Sequence, residues 1–276
     1  MPEGPEIRRA ADKLEKAIAL EPISEIFFAF DHLKRYEEIL KGDRILHVQT
    51  YGKALLLRFA CQLNIYSHNQ LYGLWYVRKP YDYPQTNRQL RLAIHTSRKS
   101  ALLYSASDIA VLQNDEILIH PFLSRLGSDV LDQAVTSDQI AARFLDKRFY
   151  RRGLPTLLLD QHFLCGLGNY LRSEVLFVAG VHPTLRPVDC TPDQITRLAE
   201  AAIALSRQSY ATAGITNDLQ RVAQLKQDGY KRHQYRFYVF SRDRLPCFVC
   251  GTEIRKDVFG GRRLYYCPTC QQKEKS

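Results

Sequence analysis

The chain has 276 residues, longer than one small module, and a length of this order suggests about two domains. Hydrophobic residues at 45% and aromatics at 11% exclude a mainly disordered polymer, and 25% charged residues without a long apolar run exclude a membrane-spanning helix. The formal net charge of +10 favours an acidic polymer over a neutral metabolite as partner.

In chain order, Ile7, Ala10, Ala11, Leu14, Ala17 and Ile18 recur at three- and four-residue steps behind Pro5, which predicts a short, half-buried helix almost at the N-terminus. From Pro22 to about Leu112 the pattern becomes β-rich. The runs Ile23 to Phe30, Arg44 to Thr50, Ala54 to Phe59, Leu63 to Ser67, Leu74 to Arg78, Leu90 to Thr96 and Ala101 to Ser105 predict a sandwich of short strands. Pro121 and Gly127 mark a boundary segment, expected as a linker over 119–130 between a domain at 2–118 and a helical one at 131–232. Thr136 with Gln139, and Thr191 with Gln194, fit capping boxes, and helical segments are expected at Thr156 to Leu164 and Asn169 to Val178 on either side of Cys165-Gly166-Leu167-Gly168. Residues 213–230 are polar and weakly patterned and are expected as a mobile loop. The alternation of Arg and Lys with Phe and Tyr over 233–240 reads as folded strand, opening a last domain at 233–276.

The basic excess is concentrated in that last stretch: between Lys231 and Ser276 eleven Lys or Arg face four Asp or Glu. It also holds Cys247-Phe248-Val249-Cys250 and, sixteen residues on, Cys267-Pro268-Thr269-Cys270, two thiolate pairs at zinc-ribbon spacing. Two such knuckles close a tetrahedral shell with no open position, so one structural Zn²⁺ is expected on Cys247, Cys250, Cys267 and Cys270. Zinc and four thiolates leave this segment basic enough to meet phosphates. Cys61, Cys165 and Cys190 stand alone and read as buried structural thiols. An odd cysteine count and an N-terminus without an apolar leader place the chain in the cytoplasm.

Met1-Pro2-Glu3-Gly4-Pro5-Glu6 is unusual for a chain end. Removal of Met1 would expose a proline amine, and a terminal amine with a reference pKa of about 7.7 to 8.0 is nucleophilic near neutrality where lysine is not. The alternative is that Pro and Glu merely start a helix.

These segments, together with Tyr51-Gly52-Lys53, Tyr66 to Gly73, Leu159-Asp160-Gln161, Gly166 to Glu174 and the four-cysteine ribbon, resemble the formamidopyrimidine-DNA glycosylase and endonuclease VIII superfamily of base-excision repair. The resemblance runs in order over nearly the whole chain. It implies an α+β fold with an N-terminal helix plus β-sandwich, a helix-two-turn-helix domain and a C-terminal zinc-ribbon finger, acting as a monomer on damaged double-stranded DNA. It implies that Pro2 is the Schiff-base nucleophile, that Glu3 assists sugar opening and base loss, and that Lys53 acts with them. Gln70, Leu71 and Tyr72 correspond to a wedge filling the place of an extruded base; alone, the triplet would read as the end of a buried strand. Asn169 and Arg125 correspond to DNA contacts, and Arg262, five residues before Cys267, to the finger arginine that grips phosphates, with Arg263 its rival neighbour. The implied activity is a bifunctional DNA glycosylase and AP lyase that removes oxidised pyrimidines and cuts by β,δ-elimination. An oxidised-purine enzyme of the same superfamily is opposed by Gln70-Leu71-Tyr72 and by Gly4; a catalytically silent zinc-ribbon DNA-binding protein is the more distant alternative.

Overall fold

The computed structural model describes residues 2–272. The chain divides between Arg125 and Leu126 into two compact units.

The first unit opens with α1 (Gly4–Ile18), which at fifteen residues is longer than expected. Ile7, Ala11, Leu14 and Ile18 are buried along one face, as the periodicity requires. Strand β1 (Ile23–Phe28) follows, then a short α2 (Tyr36–Leu40) and strands β2 (Ile45–Tyr51), β3 (Ala54–Phe59), β4 (Asn64–His68), β5 (Leu74–Arg78), β6 (Leu90–Thr96), β7 (Ser100–Tyr104) and β8 (Asp108–Leu112). They form two four-stranded antiparallel sheets, ordered β1-β6-β7-β5 and β2-β3-β4-β8. One apolar core takes side chains from both, including Phe28, Leu57, Ile65, Leu92, Ile94 and Leu103, so the unit is a sandwich. Helix α1 packs on β2 and β3 of one sheet and on β5 and β7 of the other, closing one end of that core. Helix α3 (Asn114–Ile119) completes the unit.

The second unit contains the two-residue strands β9 (Ser128–Asp129) and β10 (Leu164–Cys165), paired in parallel, with α4 (Ser137–Leu145), α5 (Leu154–Leu157), α6 (Asn169–Val178) and α7 (Pro192–Ala211). The hydroxyls of Thr136 and Thr191 accept from Gln139 N–H and Gln194 N–H as the capping boxes require. Helix α6 lies at the centre and is buried along almost its whole length. Beyond α7 come α8 (Leu219–Gln227), α9 (Arg232–Tyr235) and the hairpin β11 (Arg255–Phe259) and β12 (Arg262–Tyr266).

Three expectations are corrected. Thr156 to Leu164 is not a helix: α5 ends after one turn, because the Asp160 carboxylate takes the N–H of His162 at 2.9 Å and Arg152 at 2.6 Å, while Arg143 binds the carbonyls of His162 and Phe163. The 213–230 stretch carries the nine-residue α8, capped by Asp218 and anchored by Val222, which is buried with Ile215 and Tyr235. Residues 233–240 form no strand. After α9, the N–H groups of Tyr238, Val239 and Phe240 all donate to the buried Glu174 carboxylate at 2.7 to 3.0 Å, so they are not available to a sheet ladder.

Candidate functional site

The chain end is organised by α1. Glu3 is the N-cap residue, in extended conformation, and only 2% exposed although it is a carboxylate. The Glu6 side chain accepts the Glu3 N–H at 3.0 Å, fixing the first turn by a reciprocal box. Gly4 and Pro5, the first two helical positions, are buried, and Pro2 is half-buried immediately before them. A carboxylate thus sits at the positive end of a fifteen-residue helix, next to the residue whose nitrogen becomes terminal once Met1 is removed. Met1 itself lies outside the described residues.

Lys53 occupies the tight turn joining β2 to β3, where Gly52 at φ +57° adopts a left-handed conformation that side chains disfavour. Across β3 and β4, Ala54 pairs with His68, so the Lys53 turn and the segment leaving β4 share one end of the sheet. Burial pushes the His68 imidazole below its ordinary value; Asp108 opposes that shift and Lys53 adds to it.

The segment leaving β4 is an exposed turn, not a strand end. Gln70 has φ +49°, and Leu71 and Tyr72 are 51% and 67% exposed. Their apolar surface is held out by the backbone: Gly73 donates its N–H to the Asn69 carbonyl at 2.7 Å, and a side chain at Gly73 would come within 2.6 Å of that oxygen. Ser107 donates to the Gln70 Oε1 at 2.7 Å, and the Arg88 guanidinium donates to the Tyr72 carbonyl.

In the second unit, Gly166 at φ +93° and Gly168 lead into α6, where Asn169 is the first helical residue, at the positive end of the helix. Arg172, fully buried one turn on, donates to Asn169 Oδ1 at 2.9 Å and to the carbonyls of Arg262 and Arg263 at 3.0 Å. It also binds the Pro155 carbonyl at 2.9 Å. One guanidinium therefore ties the Asn169 amide to the start of β12, leaving the amide N–H groups to donate elsewhere. Arg262 and Arg263 are both exposed and adjacent on one strand, so their side chains leave opposite faces of the hairpin. The hairpin turn is Gly260-Gly261 with φ +57° and +74°, and Gly260 approaches Thr156 so closely that a Cβ would lie 2.6 Å from its methyl. Arg125 is exposed at the end of the first unit.

The four expected metal ligands come together. The Sγ atoms of Cys247, Cys250, Cys267 and Cys270 all lie within 4.8 Å of one another, with Cys250 and Cys267 3.4 Å apart and Cys247 and Cys270 3.9 Å apart. A tetrahedron with Zn–S bonds of about 2.3 Å has edges of about 3.8 Å, so this donor set fits one zinc ion. Of the remaining cysteines, Cys165 is buried and Cys190 half-buried, whereas Cys61 is exposed, contrary to expectation.

Sequence reasoning missed Arg172, Arg88 and Glu174. Glu174 is fully buried and also accepts from Thr216 Oγ1 at 2.5 Å; burial pushes its carboxyl up, and the four donated hydrogen bonds pull it back. It fixes the entry of the finger onto α6. In the sequence it stood only as the last residue of the Gly166 to Glu174 segment, with nothing to mark it as buried.

Residues 1–107 match the formamidopyrimidine-DNA glycosylase N-terminal domain, residues 126–220 the formamidopyrimidine-DNA glycosylase H2TH domain, and residues 244–273 the zinc finger found in FPG and IleRS. The chain is 46% identical over 271 residues to endonuclease 8 of Klebsiella pneumoniae (strain 342) and to that of Escherichia coli O9:H4 (strain HS), covering 98% of this chain and 100% of each relative. It is similar in fold to Lactococcus lactis Fpg in complex with N7-benzyl-Fapy-dG containing DNA, with TM-score 0.82 at 21% identity, covering 99% of this chain and 100% of that one. It is likewise similar to the same organism's Fpg with abasic-site DNA, with TM-score 0.81 at 21% identity over 98% and 100% of the chains. The sandwich with α1 at its end, the helical unit and the four-thiolate finger are therefore one inherited architecture, and the chain belongs to the endonuclease 8 and formamidopyrimidine-DNA glycosylase family.

Proposed function

We propose that the protein is a bifunctional DNA glycosylase and AP lyase that removes oxidised pyrimidines from duplex DNA. The observation that carries this reading is the buried Glu3 carboxylate at the head of α1, next to Pro2. After removal of Met1, the Pro2 nitrogen is a secondary amine. It attacks C1′ of the damaged nucleotide as Glu3 protonates the departing base; the Glu3 carboxylate then takes the proton from the Pro2 nitrogen and passes it to O4′ as the sugar ring opens to the iminium. The resulting iminium has no N–H to lose and stays an electron sink, so a proton leaves C2′ and the 3′ phosphate departs. A second elimination then expels the 5′ phosphate, leaving a one-nucleotide gap with phosphates at both ends. Lys53 supplies positive charge near the reacting sugar.

Leu71 and Tyr72 fill the stack vacated by the everted base, and Gln70 hydrogen-bonds the base left unpaired. Asn169 and Arg262 hold backbone phosphates, with Arg262 acting as a charge clamp because a guanidinium is too weak an acid to donate its proton. Arg125 adds a further DNA contact. Zinc, bound by the four cysteines, shapes the finger and takes no part in the reaction. The domain limits are those expected above: 2–118, a linker at 119–130, 131–232 and 233–276. The protein works as a cytoplasmic monomer. Among the described residues, no helix is long and apolar enough to cross a membrane.

The test is incubation with a duplex carrying one dihydrouracil, with and without borohydride. Gap products with phosphate at both ends, and a covalent adduct on reduction, support the reading. An intact strand with no adduct rejects it.

A further inference from the structure

The turn carrying Leu71 and Tyr72 is exposed and strained, and a short exposed turn has little of its own to hold it in one conformation. The segment linking β5 to β6, residues 79–89, supplies what it lacks. Its first half is locked onto the outer face of the β1-β6-β7-β5 sheet. Tyr81 stacks on the His95 ring at 4.3 Å, and the Tyr83 hydroxyl meets His95 Nε2 at 2.9 Å. The Ser100 Oγ receives the Tyr81 N–H at 2.9 Å and contacts His95 Nδ1 at 2.6 Å. His95 is itself completely buried. The second half is ordered by Thr86, whose Oγ1 accepts the Arg88 N–H at 3.2 Å, and by the Gln89 carbonyl, which accepts the Ser105 N–H at 2.8 Å. Between these two anchors Arg88 extends its guanidinium to the carbonyl of Tyr72, sixteen residues earlier in the chain.

We propose that Arg88 is a positioning residue for base eversion: it holds the Tyr72 backbone so that Leu71 and Tyr72 project before DNA arrives. The inference rests on the reading of residues 70–72 as the wedge. A charged donor on a backbone carbonyl is a strong hydrogen bond, and preorganisation places its benefit at the step where the wedge enters the stack, not at the chemistry on the sugar.

The experiment uses the full-length enzyme and a duplex with 2-aminopurine beside a dihydrouracil, whose fluorescence rises as the stack opens. Arg88→Ala is expected to slow the fluorescence rise and to lower kcat/KM on this duplex about tenfold, the scale of one charge-assisted hydrogen bond. Arg88→Lys, which can still donate to the carbonyl, should recover part of both. Cleavage of a single-stranded abasic oligonucleotide, which has no stack to open, should hold near the parent rate. An Arg88→Ala enzyme with an unaltered fluorescence rise overturns the proposal, as does equal loss on the single-stranded substrate. A fall of about one in the salt-dependence slope with normal stack opening would make Arg88 a phosphate ligand instead, and also overturns it. Leu71→Ala separates the two levels of argument: if it opens the stack normally, the wedge reading fails, whereas loss with Leu71→Ala but not with Arg88→Ala defeats the positioning role alone.

Discussion

The guanidinium of Arg172 lies 2.9 Å from the amide oxygen of Asn169, and the same group binds the carbonyls of Arg262 and Arg263. The two elements proposed to hold phosphate, a helix start and a finger hairpin, are thus set relative to each other by one buried charge. Arg172→Met keeps the bulk but leaves four oxygens without their donor, and unfolding in urea should show a loss of about 2–4 kcal/mol. Duplex affinity should fall as well; unchanged stability and affinity would show that the cross-brace is dispensable.

Glu3→Gln removes a proton source while keeping the shape of the α1 cap. Excision of dihydrouracil should drop by about 10² to 10⁴, the range for loss of a general acid. Cleavage at a preformed abasic site, where no base has to leave, should suffer much less, as measured by single-turnover gels on the two substrates. Equal losses on both would move Glu3 from base departure to the amine itself.

Metal analysis should return one zinc per chain. In small zinc domains, metal binding of about 10–16 kcal/mol is the folding energy. Cys250→Ser should therefore unfold the finger, carry Arg262 away from its phosphate and weaken duplex binding by more than tenfold. The sandwich unit has a separate core, and its own unfolding transition should persist.

The imidazoles of buried His95 and of half-buried His68 and His120 are all held below their ordinary value, chiefly by desolvation. Their unfolded counterparts take up protons first, near pH 6.5, so stability from these groups is complete above that pH and is lost as the pH falls. The midpoint temperature should decline between pH 7 and 5, before most carboxylates titrate, and His95→Gln should flatten the decline. A midpoint independent of pH over that window would contradict the assignment.

Much of this architecture was legible because the controlling interactions are local. The α1 stripe, the Thr136 and Thr191 caps, the limits of β3, β5 and β6, and the cysteine spacing each depend on residues close in sequence. The failures share the opposite property. Residues 233–240 carry strand-like alternation, but a carboxylate some 65 positions earlier claims their N–H groups. Helix α8 has a weak apolar face that makes sense only against Ile215 and Tyr235. For the site, the ribbon spacing was legible by itself and Pro2 and Glu3 stood out through the family resemblance, whereas Arg172 and Arg88 act chiefly on backbone carbonyls that any residue supplies, which leaves no pattern to read.

The central claim is that the nitrogen of Pro2 forms the bond to the sugar. Borohydride trapping on dihydrouracil DNA, followed by nuclease and protease digestion and mass spectrometry, locates that bond directly. The account predicts the deoxyribose remnant on a peptide that begins at Pro2, with Met1 gone. A remnant on Lys53, or full strand cleavage by protein that retains Met1, would contradict it.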